Sequence, residues 1–313
     1  MKRYLAFAFV TVYIVALIYI VCNFWDSSAI STAKWKNIAV LSLLYMLAIG
    51  LSGEVTRITC VALGHQLSRV ESIGIASANS LLNYLPFRPG AGFQAAYLIS
   101  VVGLSLSKFM LFGGFLLLTI LICNGFVGII ASVFEWRLFS PKHGVLGMLA
   151  AIYALIALAG IAVTIGGRLI QHLWLPFKLQ RFTKEMSANL YLLTRNRLFI
   201  IRVYGIIMGI LVVLTLKTYL VAQLLEIPVT ISGAFLLCTA STVARVVSIF
   251  PGGLEIVEAA MSATYVILGG NLESGILLSV VDRIINLIAT VIMGGSWLLF
   301  SRKQIGLFYL RKR

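Results

Sequence analysis

The chain consists mainly of long apolar runs that are separated by short polar or basic stretches. A transmembrane helix needs about 20 consecutive apolar residues to cross a hydrocarbon layer of about 30 Å. We expect six runs to span a membrane: residues 4–25, a run that begins near Ile38, and residues 109–134, 144–167, 198–225 and 274–300. The first run is longer than the apolar core of a cleavable signal peptide, so we interpret it as an uncleaved anchor.

Two further apolar segments, at about 72–104 and 231–269, are interrupted near their middle by proline and glycine. The interruptions lie at residues 86–92 and 251–253. Because proline breaks a helix, each half is too short to span a membrane. We therefore expect two re-entrant hairpins or broken helices, which a bilayer tolerates where the exposed backbone is buried in protein or lines a wet cavity.

The composition supports a membrane location. Hydrophobic residues make up 60% of the 313 residues and charged residues only 11%, whereas a soluble globular domain is about a quarter charged. Such a chain has too few polar side chains to cover a water-exposed surface, which excludes a soluble enzyme or nucleic-acid-binding domain. The predicted fold class is an all-α polytopic membrane protein that forms a single transmembrane domain over residues 1–313.

The net charge of +15 results from 25 Lys and Arg against 10 Asp and Glu. With the N-terminus in the cytoplasm, most of these bases fall on the cytoplasmic side, as the positive-inside rule requires. We therefore predict cytoplasmic termini in a bacterial-type inner membrane. The basic segment at about 168–197 is then cytoplasmic too, either as an amphipathic stretch on anionic lipid or as a solvated loop. The two broken segments enter from opposite faces, which is typical of an inverted repeat with a binding site near the midplane.

The first broken segment offers a candidate site for a phosphate group around Arg88. Asn83 ends the preceding helix, and Gly90 and Gly92 begin the next one. Glycine allows close approach of the backbone, a helix start offers unpaired N–H groups, and a guanidinium can bind two phosphate oxygens at once. The alternative is that Arg88 anchors the hairpin at the headgroup level, while Asn79 and Asn83 hydrogen-bond between helices.

The second candidate site is a set of charged residues in and after the second broken segment: Arg245, Glu255, Glu258, Asp282 and Arg283. Ionisable groups at membrane depth cost at least about 2.5 kcal/mol, so they normally pair or act. Asp282 and Arg283 are adjacent, point about 100° apart on a helix and therefore need different partners. We expect a network in which Arg245 or Arg283 binds an anion while the acids hold it in place. The alternative is a purely structural network, in which the helix dipole stabilises the acids.

A catalytic or metal site finds little support in the sequence. The aspartates, Asp26 and Asp282, lie on different segments, and the three histidines are dispersed. A divalent metal needs several oxygen or nitrogen ligands close together. The four cysteines lie in apolar runs and form no Cys-x-x-Cys pair. We therefore expect no catalytic residue, no metal, no cofactor and no enzyme activity.

A series of short motifs runs along the chain: Asn83-Tyr84-Leu85-Pro86-Phe87-Arg88-Pro89-Gly90, Tyr97-Leu98, Gly103-Leu104-Ser105, Phe250-Pro251-Gly252-Gly253-Leu254-Glu255, Glu258-Ala259 and Asp282-Arg283. Together these motifs resemble the lysylphosphatidylglycerol synthase transmembrane (flippase-like) family over essentially the whole chain. The resemblance implies movement of a lipid with a charged head group between leaflets, with the broken helices lining its path. Ala91 stands where family members often carry an acid, and Glu255 where a glycine is expected, so lipid contacts at these two positions are expected to differ.

The resemblance leads to one functional expectation and two alternatives. Because the chain ends soon after its last span, we expect a stand-alone member without the aminoacyl-transfer domain. It would translocate an anionic or phosphate-bearing lipid, a phospholipid or a polyprenyl-phosphate-linked lipid, in cell-envelope lipid or glycan metabolism. The first alternative is a non-catalytic accessory subunit of a membrane lipid synthase or glycosyltransferase. The second, a lipid-linked sugar transferase, is disfavoured by the shortage of aspartates. Nucleic acid is not expected as a partner.

Overall fold

A computed structural model of the chain describes residues 32–85, 89–138, 143–169, 193–247 and 256–311. These ranges are helical and contain no strand, which confirms the predicted all-α class. The helices with described bounds are α1 (Thr32–Ala62), α2 (Arg69–Leu82), α3 (Pro89–Ser100), α4 (Leu106–Leu138), α5 (His143–Leu169), α6 (Arg197–Leu224), α7 (Ile231–Val247), α8 (Ile256–Ile267) and α9 (Leu272–Arg311).

Four of the described helices are long and apolar enough to cross a membrane: Lys36–Ala62 in α1, Leu106–Trp136 in α4, Arg197–Leu224 in α6 and Leu272–Ser301 in α9. At 1.5 Å per residue, even the shortest of them is about 40 Å long, which exceeds the hydrocarbon thickness. These helices match four of the predicted spans in length and composition. The predicted span at 144–167 falls within α5, a helix of 27 residues, and the predicted span at 4–25 lies outside the described residues.

The helices of the two interrupted segments are short. Helices α2 and α3 have 14 and 12 residues, and α7 and α8 have 17 and 12. Each is therefore about 18 to 26 Å long, less than the hydrocarbon thickness. Helix α2 ends at Leu82, before the first proline of its segment, and α7 is described as far as Val247, before Pro251. Residues 86–88 and 248–255, between the helices of each pair, lie outside the described residues.

Longer helices enclose the short ones. Helix α2 packs between α1 and α9, and α8 packs against α7 and α9. Small residues permit this closeness, as is common between membrane helices. A Cβ added to Gly53 of α1 would lie 2.7 Å from the backbone of Ile73 in α2, and one added to Gly294 of α9 would lie 2.7 Å from the carbonyl oxygen of Ser77.

A buried carboxylate fixes the beginning of α7. Glu135 of α4 is 3% exposed, and it accepts hydrogen bonds from the hydroxyls of Thr230, at 2.9 Å, and Ser232. Thr230 also accepts a hydrogen bond from the backbone N–H of Gly233, as an N-cap residue does. The negative charge of Glu135 therefore lies at the positive end of the α7 dipole, where it is stabilised.

Candidate functional site

A buried ion pair joins α6 to α9. Lys217 is 1% exposed and Asp282 is 4% exposed, and Lys217 Nζ lies 2.8 Å from Asp282 Oδ1. Asn286, one turn after Asp282, donates from Nδ2 to Asp282 Oδ2 at 3.0 Å and accepts a hydrogen bond from Lys217 through Oδ1. Since unpaired charges are costly to bury, these three side chains stabilise one another inside otherwise apolar helices.

Arg245 approaches the same carboxylate from α7. Its Nη2 lies 3.8 Å from Asp282 Oδ2, beyond hydrogen-bonding distance, and its side chain is 34% exposed. Arg245 is in the last turn of α7, where the helix dipole favours a cation. It also interacts electrostatically with Tyr45 of α1 and with Tyr84, which follows α2. Asp282 is thus shared by a buried ammonium and a partly open guanidinium.

An aromatic ring also contacts the ammonium of Lys217. Lys217 Nζ lies 4.8 Å from the centroid of the Tyr45 ring, within the range of a cation–π contact. Tyr45 is itself buried, next to Ile49 and Ala289. Helices α1, α6, α7 and α9 therefore all contribute side chains to one polar cluster, Tyr45, Lys217, Arg245, Asp282 and Asn286, which we call the Asp282 cluster.

A second ion pair lies on the adjoining face of α9. Arg283, 5% exposed, donates to Glu258 Oε1 in the first turn of α8. The other carboxylate oxygen, Glu258 Oε2, is buried without a hydrogen-bond partner among the described residues. The neighbours Asp282 and Arg283 thus point to different helices, which confirms the prediction that they need different partners.

In the first broken segment, the start of α3 packs tightly against the end of α2. Asn83 is the C-cap residue of α2 and donates from Nδ2 to Asn79 Oδ1 at 3.2 Å. Gly90 is buried, and a Cβ added to it would lie 2.2 Å from the carbonyl oxygen of Asn79. Gly92 is exposed, and a Cβ there would meet open space. Close packing therefore requires glycine at Gly90 and not at Gly92. Arg88 lies outside the described residues.

The structure brings together four of the residues singled out from the sequence, Arg245, Glu258, Asp282 and Arg283, on α7, α8 and α9. Glu255 lies outside the described residues. The electrostatic interaction of Arg245 with Tyr84 places the last turn of α7 near the residues that follow α2.

The sequence does not by itself predict that Lys217, Tyr45 and Asn286 belong to the Asp282 cluster. For two of them a signal exists. Asn286 follows Asp282 by four residues and so shares its helix face, and Lys217 is a basic side chain within the apolar run of α6. Tyr45 carries no such signal, because a tyrosine in an apolar helix is common. Among the described residues, no group of three or more His, Cys, Asp or Glu could hold a metal ion.

The family model described as "Lysylphosphatidylglycerol synthase TM region" matches residues 4–294 of the chain. The chain belongs to this family. The match includes both broken segments and the whole Asp282 cluster, and it confirms the resemblance seen in the motifs. No curated protein and no solved structure matches the chain. Membership in the lysylphosphatidylglycerol synthase TM family, together with four apolar helices of spanning length, makes this a polytopic membrane protein with a lipid-related function.

Proposed function

We propose that the protein moves an anionic or phosphate-bearing lipid between the leaflets of the membrane, without changing it covalently. The observation that carries the proposal is the environment of Arg245. The Arg245 side chain is 34% exposed, lies in the last turn of α7 and belongs to the Asp282 cluster, whose other members are buried. A partly open arginine in an apolar protein can donate two parallel hydrogen bonds to a phosphate, and such intramembrane charges usually mark a substrate path.

The path follows from the broken helices. Helices α2 and α3 form one re-entrant segment and α7 and α8 the other, in an inverted repeat whose breaks meet near the midplane. Arg88, Asn83, Gly90 and Gly92 contact the head group from the first segment. From the second segment Arg245 contacts the head group, while Glu255, Glu258, Asp282 and Arg283 form the internal charge network beside it. The acyl chains remain in the bilayer, against the exposed apolar side chains of the long helices, such as Phe126 and Ile130.

The setting of this activity is the cytoplasmic membrane of a bacterial-type envelope, with both termini in the cytoplasm. The lipid is a phospholipid or a polyprenyl-phosphate-linked lipid, since both carry a phosphate that matches a guanidinium. A membrane synthase or glycosyltransferase that makes or consumes this lipid is the expected protein partner.

The test is lipid movement in proteoliposomes that contain the full chain and a trace of fluorescent phosphatidylglycerol. Dithionite bleaches the label in the outer leaflet, so movement appears as bleaching beyond half of the signal. We expect this in vesicles with the protein and a strong reduction for Arg245→Gln. The matched control is Arg202→Gln, which makes the same change at an exposed position of α6. Equal bleaching in empty and protein-containing vesicles would overturn the proposal.

One observation favours an accessory role as the second candidate. Lys217, Asp282 and Asn286 lie in a buried contact between α6 and α9, where Lys217 pairs with Asp282 and both contact Asn286, as expected of a cluster that only locks the fold. If the protein is an accessory subunit, Arg245→Gln should lower its thermal stability, or the amount that is recovered together with a synthase or glycosyltransferase. Vesicles with the wild-type protein would then show no more lipid movement than empty vesicles.

A further inference from the structure

Asp282 has two cationic neighbours whose surroundings differ sharply. Lys217 Nζ lies 2.8 Å from Oδ1 and is sealed from solvent, whereas Arg245 Nη2 lies 3.8 Å from Oδ2 and its side chain is partly open. Coulomb attraction weakens with distance and with exposure to a polar medium. The carboxylate is therefore held mainly by Lys217, and its hold on Arg245 is the weaker of the two.

We infer that Lys217 is a positioning residue that keeps Asp282 as its own counter-ion and so leaves Arg245 able to bind an anionic head group. The inference rests on the proposed function, in which Arg245 contacts the lipid phosphate. It assigns a role in lipid binding to a side chain that does not itself touch the lipid.

The surroundings of Lys217 exclude it as a second lipid contact. The ammonium donates to Asn286 Oδ1, faces the Tyr45 ring at 4.8 Å and belongs to a residue that is 1% exposed. A head group that reaches Arg245 cannot also reach this nitrogen without disrupting the packing of α6 against α9. The positive charge of Lys217 therefore acts on Asp282 and not on the lipid.

The electrostatic consequence concerns what Asp282 does to an approaching anion. A carboxylate 3.8 Å from Arg245 both competes for the guanidinium and repels a phosphate that approaches it. The ammonium of Lys217 offsets this repulsion, because it places a positive charge on the far side of the carboxylate. Without Lys217, Asp282 would need Arg245 as its counter-ion. The lipid phosphate would then have to displace the Asp282 carboxylate from the Arg245 guanidinium.

A positioning role for Lys217 predicts a double-mutant result that differs from the result expected if the cluster only stabilises the fold. Lys217→Met should weaken binding of an anionic lipid by about tenfold, within the range of coupling energies between residues in contact. Removing the carboxylate as well, in Lys217→Met/Asp282→Asn, should restore binding to within about threefold of wild type, because Arg245 is released again. Lys36→Met, on the exposed start of α1, is the matched control and should change nothing.

The measurement is binding of dioctanoyl phosphatidylglycerol to the purified full chain in nanodiscs of zwitterionic phosphatidylcholine. Dioctanoyl phosphatidylcholine, added in parallel, should bind equally to all variants. A double variant that binds as weakly as Lys217→Met, or a Lys217→Met that binds like wild type, would overturn the inference. If Lys217→Met does not fold, the double variant decides alone: binding near the wild-type level supports the inference, and binding as weak as that of Arg245→Gln contradicts it.

Transport separates the two proposals. In the vesicle assay, Lys217→Met should raise the lipid concentration that gives half the maximal rate while leaving the maximal rate nearly unchanged, since a positioning residue acts on binding. A wild-type protein that binds phosphatidylglycerol but does not move it would refute the proposed function and leave the binding result standing. A wild-type protein that moves the lipid, with no recovery in the double variant, would refute only the role of Lys217.

Discussion

The indole of Trp297 in α9 occupies the space that a side chain on Gly74 in α2 would need. A Cβ added to Gly74 would lie 1.8 Å from the indole Nε1. The same indole packs edge-on against Phe93 and Tyr97 of α3, with ring centroids 6.1 and 5.9 Å apart. Trp297 therefore holds both helices of the first broken segment against a spanning helix.

Gly74→Ala should destabilise the protein by about 1–3 kcal/mol, because the new methyl group forces the indole out of its packed position. Thermal unfolding of the purified protein in detergent measures this change. Gly50→Ala in α1 is the control, since a Cβ there meets no atom within 4 Å. It should leave stability unchanged or raise it by up to about 1 kcal/mol, as Ala is the better helix former. Equal unfolding temperatures for the two variants would contradict the packing seen at Trp297.

Gly90 and Gly92 make a second matched pair, in which only one glycine is sterically required. Gly90→Ala should separate the start of α3 from Asn79 and cost about 1–3 kcal/mol, with reduced lipid movement in the vesicle assay. Gly92→Ala adds the same methyl group to open space, so it should retain stability but reduce lipid movement, because the methyl group enters the space through which the head group approaches the backbone. Undiminished lipid movement in Gly92→Ala would show that the head group does not contact this glycine.

Much of the fold is predictable because the responsible signals are local. The length of an apolar run determines whether a helix can span the membrane, and proline ends a helix wherever it stands. The divergence of Asp282 and Arg283 is likewise a local property, since adjacent residues on any helix point about 100° apart. These signals predict the spans in α1, α4, α6 and α9 and the ends of α2 and α7.

The partners within the candidate site depend on tertiary packing. Lys217 meets Asp282 only because α6 and α9 place them at the same depth, and nothing in either sequence segment specifies that register. The ring of Tyr45 faces Lys217 for the same reason. A charged residue inside a spanning helix therefore predicts that a partner exists, but the identity of the partner requires the structure.

Asp282→Asn should cost about 3–5 kcal/mol, because it leaves the ammonium of Lys217 buried without its counter-ion. Glu54→Gln is the comparison, since it removes a carboxylate from a partly exposed pair with Arg57 in α1, where Nη2 and Oε1 are 2.5 Å apart. Because that pair is partly exposed, it should contribute at most about 1 kcal/mol to the free energy of unfolding. Unfolding temperatures in the same detergent test both values. A cost for Asp282→Asn no larger than that for Glu54→Gln would show that the buried pair does not hold α6 to α9.

Lys108 connects two loops at one end of the bundle. Its Nζ donates to the carbonyl oxygen of Leu63 at 2.9 Å and lies 3.4 Å from Nε2 of His65, while Nδ1 of His65 lies 3.2 Å from the carbonyl oxygen of Val102. Since that carbonyl can only accept, Nδ1 carries the proton and Nε2 accepts from Lys108. Lys108 thus holds the loop after α1 directly and, through His65, the loop after α3.

Lys108→Met should release these loops without unfolding the helices. A hydrogen bond from a charged donor contributes about 1.5–3 kcal/mol, so backbone amides near residues 63–67 and 101–105 should exchange hydrogen for deuterium at least about tenfold faster. Amide exchange in α6, with which Lys108 forms no hydrogen bond, should be unchanged. The Lys36→Met variant should show the exchange rates of the wild type in all regions. Unchanged exchange in both loops would show that their own backbone hydrogen bonds, such as that from Leu104 N–H to the carbonyl oxygen of Leu98, suffice to hold them.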